Sequence, residues 1–340
     1  VNSGNSDGVR TRLWRDGRLE VEDFPLEDIS DHLQEDGTLV WLDLCEPDHD
    51  LLLKLAIELA FDPHAVEDAI SRGERPKATR HATHTFVTAY ATRLKTPEGS
   101  QLDALHSRLL VSRVSAFILP GGIVTVRSDP GFDMDQVVDR WEDDADLLKL
   151  GSGALLHGLL DVIVDGHFET IQLMDDAIEA LEDDLFDERA LSRDIQQRTY
   201  RVRKELVELR RVILPMREVV NAVQRHHGDA TGHNSELDGW YADLYDHVLR
   251  ASEWTESLRD MVTTVFETNL SLQDARLNTV MKKLTGWAAI IAVPTAVTGW
   301  FGQNVAYPGF GTTAGLIAST IVITTLAITL YAVFRRRNWL

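Results

Sequence analysis

Apolar and polar positions follow three different rhythms along this chain of 340 residues. Up to about residue 150 the apolar residues come in short runs of mixed period. Thr38-Leu39-Val40-Trp41-Leu42-Asp43-Leu44 reads as a buried strand. Glu46-Pro47-Asp48 then opens a helix, with Asp48 as its cap and Leu51, Leu52, Leu55 and Ala56 at helical spacing. Residues 84–91 and 108–119 are rich in strand-favouring types, and Gly121-Gly122 separates the latter from Ile123-Val124-Thr125-Val126 as a hairpin. This mixture predicts an α/β domain over residues 1–150.

After Gly151 the strand signals stop and the helical period takes over. Residues 155–186 read as one amphipathic helix and 191–225 as another, with a loop over 225–233. Together they make an acidic helical segment over residues 151–237. From Asp238 to Phe301 the only strong helix breaker is Pro294. That stretch predicts one helix of about 64 residues, roughly 95 Å long. A helix of that length needs other helices, or copies of itself, to bundle with.

The third rhythm is unbroken apolarity. Residues 284–301 and 313–334 carry no charge, and each is long enough to cross a hydrocarbon core of about 30 Å. An uncharged loop, residues 302–312, joins them. Lys282 and Lys283 precede the first run, and Arg335, Arg336 and Arg337 follow the second. Positive outer flanks put both termini in the cytoplasm and the loop outside. The expected organisation is a cytoplasmic domain, the helix pair, a stalk over 238–283, two spans in contact with lipid, and a basic tail over 335–340.

Within the long helix, Asp260, Thr264, Glu267, Ser271, Asp274, Asn278, Met281, Thr285, Ala288, Ala292, Thr295 and Gly299 alternate in spacing between three and four. This seam is polar before the first span and small within it. In a symmetric bundle it would line a wet axis. In isolation it would be a solvated outer face, and the period does not choose between them. Met281 and Leu284 stand where the seam meets the membrane, a place where apolar rings close pores by dewetting.

Composition narrows the partners. A net charge of −20 argues against nucleic acid and suits a body that gathers cations. Cys45 is the one cysteine, which excludes an intrachain disulfide and a thiolate zinc cluster. Residues 1–15 are polar, so no secretory signal is expected there. No P-loop, nucleophile elbow or zinc-hydrolase motif is present, and the chain is not expected to be an enzyme.

Several motifs, in order, resemble the CorA superfamily of pentameric divalent-cation channels. They are Trp41-Leu42-Asp43-Leu44, Val66-Glu67-Asp68-Ala69 with Arg75-Pro76-Lys77, Leu159-Leu160-Asp161, Leu181-Glu182-Asp183, Leu214-Pro215-Met216-Arg217-Glu218, Asp243-Leu244-Tyr245-Asp246-His247, and residues 277–285. The resemblance implies a funnel-shaped homopentamer with an α/β/α cytoplasmic domain, long helices and a two-helix membrane hairpin. It implies a pore along Asn278, Met281, Leu284, Ala292, Thr295 and Asn304, with an acidic ring at Glu267. The family's Gly-Met-Asn filter falls on Gly302, Gln303 and Asn304, with Gln303 replacing methionine and no acidic residue in the loop. Glycine at 302 is expected to permit an unusual turn. The resemblance also implies regulatory metal binding between subunits at Glu67, Asp68, Asp165, Asp243 and His247.

The expected cargo is Mg²⁺, with Co²⁺ or Ni²⁺ next, and divalent cations act as substrate and regulator rather than as a resident cofactor. A proton-coupled zinc transporter like ZntB and a non-conducting membrane scaffold are the alternatives. The acidic residues 175–188 read either as a solvated face or as a partner for the basic tail. His226, His227 and His233 read as exposed loop histidines.

Overall fold

The computed structural model describes residues 8–71, 73–95, 107–186, 192–229, 235–303, 306 and 308–339. The chain divides into two units, Val1–Val265 and Phe266–Leu340.

The first unit opens with β1 (Val9–Arg15), β2 (Arg18–Glu22), a 3₁₀ turn at Leu26–Asp28, α1 (Ile29–Gln34) and β3 (Thr38–Cys45). Next come α2 (His49–Glu58), α3 (Pro63–Ile70), β4 (Lys77–Arg80), β5 (Thr85–Leu94), β6 (Leu109–Leu119) and β7 (Gly122–Arg127). Then follow α4 (Met134–Asp143), α5 (Ala145–Leu148), α6 (Ser152–Phe186), α7 (Ser192–Ile213), α8 (Met216–Asp229) and the start of α9 (Ser235–Phe301).

The strands form one seven-stranded sheet in the order β2-β1-β3-β7-β6-β5-β4, antiparallel except for the parallel β3–β7 pair. Strand alternation builds both faces. On β3, Leu39 and Trp41 enter one core while Val40, Leu42 and Leu44 enter the other. Both faces are buried, which is why these strands read as continuous apolar runs. Residues of α2 and α3 close one core, around Phe61, Phe86 and Phe117. Residues of α4, α6, α8 and α9 close the other, around Trp14, Trp41 and Trp141. This is an α/β/α sandwich. The second core takes in Leu155 and Leu160 of α6, Met216 and Val219 of α8, and Leu237, Tyr241, Leu244 and Val248 of α9. It therefore continues well past residue 150.

Asp43 shows what the Trp-Leu-Asp-Leu motif does. It is fully buried on the same face as Trp41, and Arg127 donates to both its carboxylate oxygens, with Arg127 Nη2 to Asp43 Oδ2 at 2.6 Å. Thr125 links the pair to the core: its hydroxyl donates to Asp43 Oδ1 at 2.7 Å and accepts from Trp41 Nε1 at 3.0 Å. The buried charge is thus paired and hydrogen-bonded across the parallel strands β3 and β7.

Three local expectations are corrected. The helix expected over 191–225 is two helices, α7 and α8. Pro215 has no N–H to continue the ladder, so the chain turns at Leu214-Pro215 and a new helix starts at Met216. Helix α8 then runs on to Asp229, into the stretch expected as a loop. Asp48 does occupy the cap position of α2, but its side chain makes no capping hydrogen bond.

The second unit holds the rest of α9 and α10 (Thr313–Arg336). Two helices, α9 and α10, contain stretches long and apolar enough to cross a membrane. Hydroxyls in these stretches bond back to their own helix. Thr298 donates to Pro294 O at 2.8 Å, Thr320 to Leu316 O at 2.9 Å and Thr329 to Thr325 O at 2.7 Å, so these three demand no partner from lipid.

Candidate ion path and regulatory carboxylates

On α9 every seam position is exposed: Asp260, Thr264, Glu267, Ser271, Asp274, Asn278, Met281, Thr285, Ala288, Ala292, Thr295 and Gly299. The covered positions lie elsewhere. Leu258, Val262 and Val265 are buried, and further along Gly286, Ile290, Val293 and Val297 are buried or half-buried. At about 100° per residue these two sets lie roughly opposite the seam. Trp287, at the edge of the covered stripe, meets Tyr331 of α10 with ring centroids 6.5 Å apart. One chain thus covers the back of the apolar stretch of α9 and leaves its polar and small face bare. Met281 and Leu284 are 53% and 62% exposed, an unusual state for apolar side chains that no lipid tail or neighbour covers.

At the end of α9 the Gly302 amide donates to Thr298 O at 2.9 Å, closing one more helical turn. Gly302 is not among the glycines with positive φ, and this corrects the expectation of an unusual turn there. A side chain at 302 would meet Thr298 O at 3.0 Å. Gln303 is exposed, and Asn304 lies outside the described residues. The left-handed glycines of this loop are Gly309 and Gly311, with φ of 93° and 72°. Gly309 sits so close to Gly315 that a Cβ on Gly315 would lie 2.2 Å from Gly309 O. Thr312 caps α10 by accepting from the Gly315 amide and donating to Gly309 O. The loop is thereby fastened to the first turn of α10.

The five carboxylate and imidazole candidates all lie in the first unit, on α3, α6 and α9. Asp62 and Pro63 start α3, with Asp62 accepting from the His64 amide at 2.9 Å. Arg113 of β6 finishes it, donating to Ala69 O at 2.7 Å and to Ser71 O. Glu67 is exposed between these anchors, and Asp68 beside it is half-buried. Lys77 Nζ, from β4, donates to Asp68 Oδ2 at 2.7 Å and to Glu74 Oε2 at 2.9 Å. Burial works against the Lys77 charge, but its two carboxylates outweigh that and raise its pKa.

On α6, Arg140 of α4 reaches two carboxylates one turn apart, donating to Asp161 Oδ2 and to Asp165 Oδ2, the latter at 2.8 Å. Burial pushes the Asp161 carboxyl up from its ordinary value, and Arg140 opposes this. His157, a turn earlier, is pushed down by burial and has its Nε2 3.2 Å from Trp240 O. On α9, Asp243 Oδ2 lies 3.6 Å from His247 Nε2, and the Asp243 side chain is 71% exposed. Among the described residues no three His, Cys, Asp or Glu side chains of one chain converge to hold a metal. The candidates are thus grouped as Glu67 with Asp68, Asp165 alone, and Asp243 with His247.

Sequence reasoning missed the cations that hold these carboxylates, Lys77 and Arg140. Lys77 stood in the Arg75-Pro76-Lys77 motif without a role. Arg140 carried no local signal, because its partners lie 21 and 25 residues away. In the acidic stretch of α6, Asp184 accepts from Arg198 of α7. For His226 and His227 only the backbone is described, and His233 lies outside the described residues.

A family model described as "CorA-like Mg2+ transporter protein" matches residues 36–336. The cobalt/magnesium transport protein CorA of Thermotoga maritima is 25% identical over 326 residues, covering 94% of this chain and 90% of that protein. The zinc transport protein ZntB of Yersinia pseudotuberculosis is 26% identical over 291 residues, covering 82% of this chain and 81% of that one. In fold, the chain matches the complete structure of the CorA magnesium transporter from Methanocaldococcus jannaschii with a TM-score of 0.75 at 20% identity, over 98% of this chain and 99% of that one.

Proposed function

This chain belongs to the CorA-like Mg²⁺ transporter family, and on that premise we propose that it is a homopentameric divalent-cation channel of the inner membrane, with Mg²⁺ as its principal cargo. The observation that carries this reading is the bare seam of α9, polar before the span and small within it, opposite a covered face. Five copies around an axis cover twelve exposed positions per chain at once and leave a wet path between them.

In this reading both termini are cytoplasmic and the two apolar stretches form a membrane hairpin, an orientation that the outer Lys and Arg flanks favour. Gly302, Gln303 and Asn304 form the outer mouth. Mg²⁺ gives up its waters reluctantly. A ring of Asn304 amide oxygens can accept hydrogen bonds from that water shell without stripping it. Below, Thr295 and Ala292 leave room for a hydrated ion, and Leu284 and Met281 form rings that dewet when the helices close together. Asn278, Asp274, Ser271 and Glu267 then pass the ion into an acidic environment. Between subunits, Glu67 and Asp68 face Asp243, His247 and Asp165. Their carboxylates repel until a divalent cation bridges them, which couples cytoplasmic ion level to packing of the closed state.

A second reading, proton-coupled zinc transport, is favoured by two observations: Gln303 stands where the family filter has methionine, and a zinc transport protein is among the relatives. Zinc prefers nitrogen and sulfur ligands. The seam offers neither Cys nor His, which favours a hard, hydrated ion. Flux into proteoliposomes decides, with Mg²⁺, Co²⁺, Ni²⁺ and Zn²⁺ compared with and without a pH gradient. Mg²⁺ uptake indifferent to the gradient is expected. Zn²⁺ uptake that follows the gradient would replace it, and a monomer or dimer in native mass spectrometry would end the channel reading.

A further inference from the structure

Two of the proposed regulatory carboxylates already hold a cation within one chain, and both are held in the same way. Lys77 bridges Asp68 and Glu74 at 2.7 and 2.9 Å. Arg140 bridges Asp165 and Asp161. In each case one carboxylate is a proposed metal ligand and the other is not. Resting on the regulatory reading above, we propose that Lys77 and Arg140 are tethered counter-cations that compete with the divalent ion, and that Glu74 and Asp161 are the docks to which they withdraw when metal binds.

The chemistry requires a withdrawal. An ammonium has three donors and no acceptor, and a guanidinium five donors and no acceptor, so neither can join a metal's coordination shell. A divalent ion that takes Asp68 Oδ2 must displace Lys77 Nζ from it. Without a dock the ammonium would be left beside a dication, and like charges at that range repel strongly. Glu74 removes this penalty because it already accepts from Lys77. The side chains of Lys77, Asp68 and Glu74 are about equally exposed at 33%, 27% and 30%, so the exchange needs no burial or release of a charge. In the second pair Asp161 is the more buried partner, at 13% exposure against 47% for Asp165. Arg140 therefore stays on Asp161, where its charge is needed, while Asp165 is freed. With the cations in place, Asp68 and Asp165 repel a neighbouring subunit's carboxylates less than bare charges would. The metal level needed for closure is then set by a competition within each chain.

The test uses full-length protein in detergent and reads the Mg²⁺ concentration that half-protects it from protease. Lys77→Met, which keeps the stem and removes the charge, should lower that midpoint about threefold, the scale of one part-exposed pair. Glu74→Gln should raise it by about the same factor, because Lys77 then rests on Asp68 alone. Charge alone would give the same two directions, so the combination decides. In the Lys77→Met background Glu74→Gln should have almost no further effect, since Glu74 acts through Lys77. Lys77→Arg should stay near the wild type. Lys149→Met, which removes the same charge from an exposed pair with Asp146, should leave the midpoint where it is. Simple multiplication of the two single shifts in the double variant would overturn the proposal, as would a shift in Lys149→Met equal to that in Lys77→Met. Asp68→Asn separates this from the underlying reading. A raised midpoint there, with independent Lys77 and Glu74 effects, removes only the tethered cations, whereas an unmoved midpoint removes the regulatory site and the proposal together.

Discussion

In the unit ending at Val265 a buried polar group is usually a paired one, and apolar side chains are mostly inside. In the unit starting at Phe266 the relation is reversed: polar hydroxyls turn back on their own helix, and large apolar side chains such as Leu284, Ile291, Trp300 and Leu316 are more than 60% exposed. The first unit satisfies its own chemistry within one chain. The second leaves these side chains bare, and in the proposed channel they meet lipid on one side and copies of the chain on the other. Outside the proposed regulatory carboxylates, substitutions should therefore act on the first unit through stability and on the second through transport.

The largest effect should come at the mouth. Asn304→Ala should abolish uptake in the proteoliposome assay while native mass spectrometry still finds the assembly, since it removes the ring of amide ligands proposed for the mouth. Normal transport would place the filter elsewhere. In the first unit the counterpart is Arg127→Ala. It strands the fully buried Asp43 carboxylate and should cost about 3–5 kcal/mol in thermal unfolding of that unit. A small loss would mean the sheet does not depend on this pair.

Acid should separate the two regions next. His167 is fully buried, with Nε2 2.8 Å from Tyr90 O, and burial holds its pKa down to about 4 from 6.5. Above 6.5 it is neutral whether folded or unfolded. As pH falls towards 4 the unfolded chain takes up a proton that the folded one refuses, so stability declines across that window by roughly 3 kcal/mol. Below 4 this contribution is flat. His84, also held to about 4, adds to the same window. His167→Gln should flatten part of the decline in chemical denaturation followed against pH, and an unchanged slope would rule this histidine out as the acid-labile group.

The smallest effects sharpen the contrast most. Thr125→Val removes the hydroxyl that joins Trp41 to Asp43 and should cost about 1–3 kcal/mol. Thr324→Val removes a hydroxyl that bonds only to Thr320 O on its own helix, and should change thermal stability by less than about 0.5 kcal/mol. Equal losses from the two would undo the comparison.

Much of this was legible in the residues, for physical reasons that differ by region. The strands β3, β6 and β7 announce themselves because both faces are covered, and the long α9 because only Pro294 interrupts it. By contrast β2 is exposed along its whole length and offers only the two alternating apolar residues Leu19 and Val21, although Asp16-Gly17, with φ of 52° and 76°, is a hairpin turn that the chain spells out. Pro215 stands inside the stretch expected as one helix over 191–225, and it ends a helix there. At the site, the carboxylates were legible because they sit in short motifs. The cations on them were not, because Lys77 and Arg140 arrive from a strand and a helix that only the fold brings near.

The strand order has a consequence for the chain's synthesis. β3 pairs in parallel with β7, joining Val40 to Gly122, and the core that receives Trp41 is completed by Val248 on α9. At 5–20 residues per second, roughly 10 to 40 s separate the emergence of Trp41 from that of Val248. For roughly the first 4 to 17 s of that interval the apolar strand waits without its central neighbour β7, and for the remainder without the last helix of its cover. The span that begins near Leu284 follows Val248 almost at once. Closure of the core of the first unit and emergence of the first apolar stretch thus fall in the same few seconds, and a delay in either leaves apolar surface exposed.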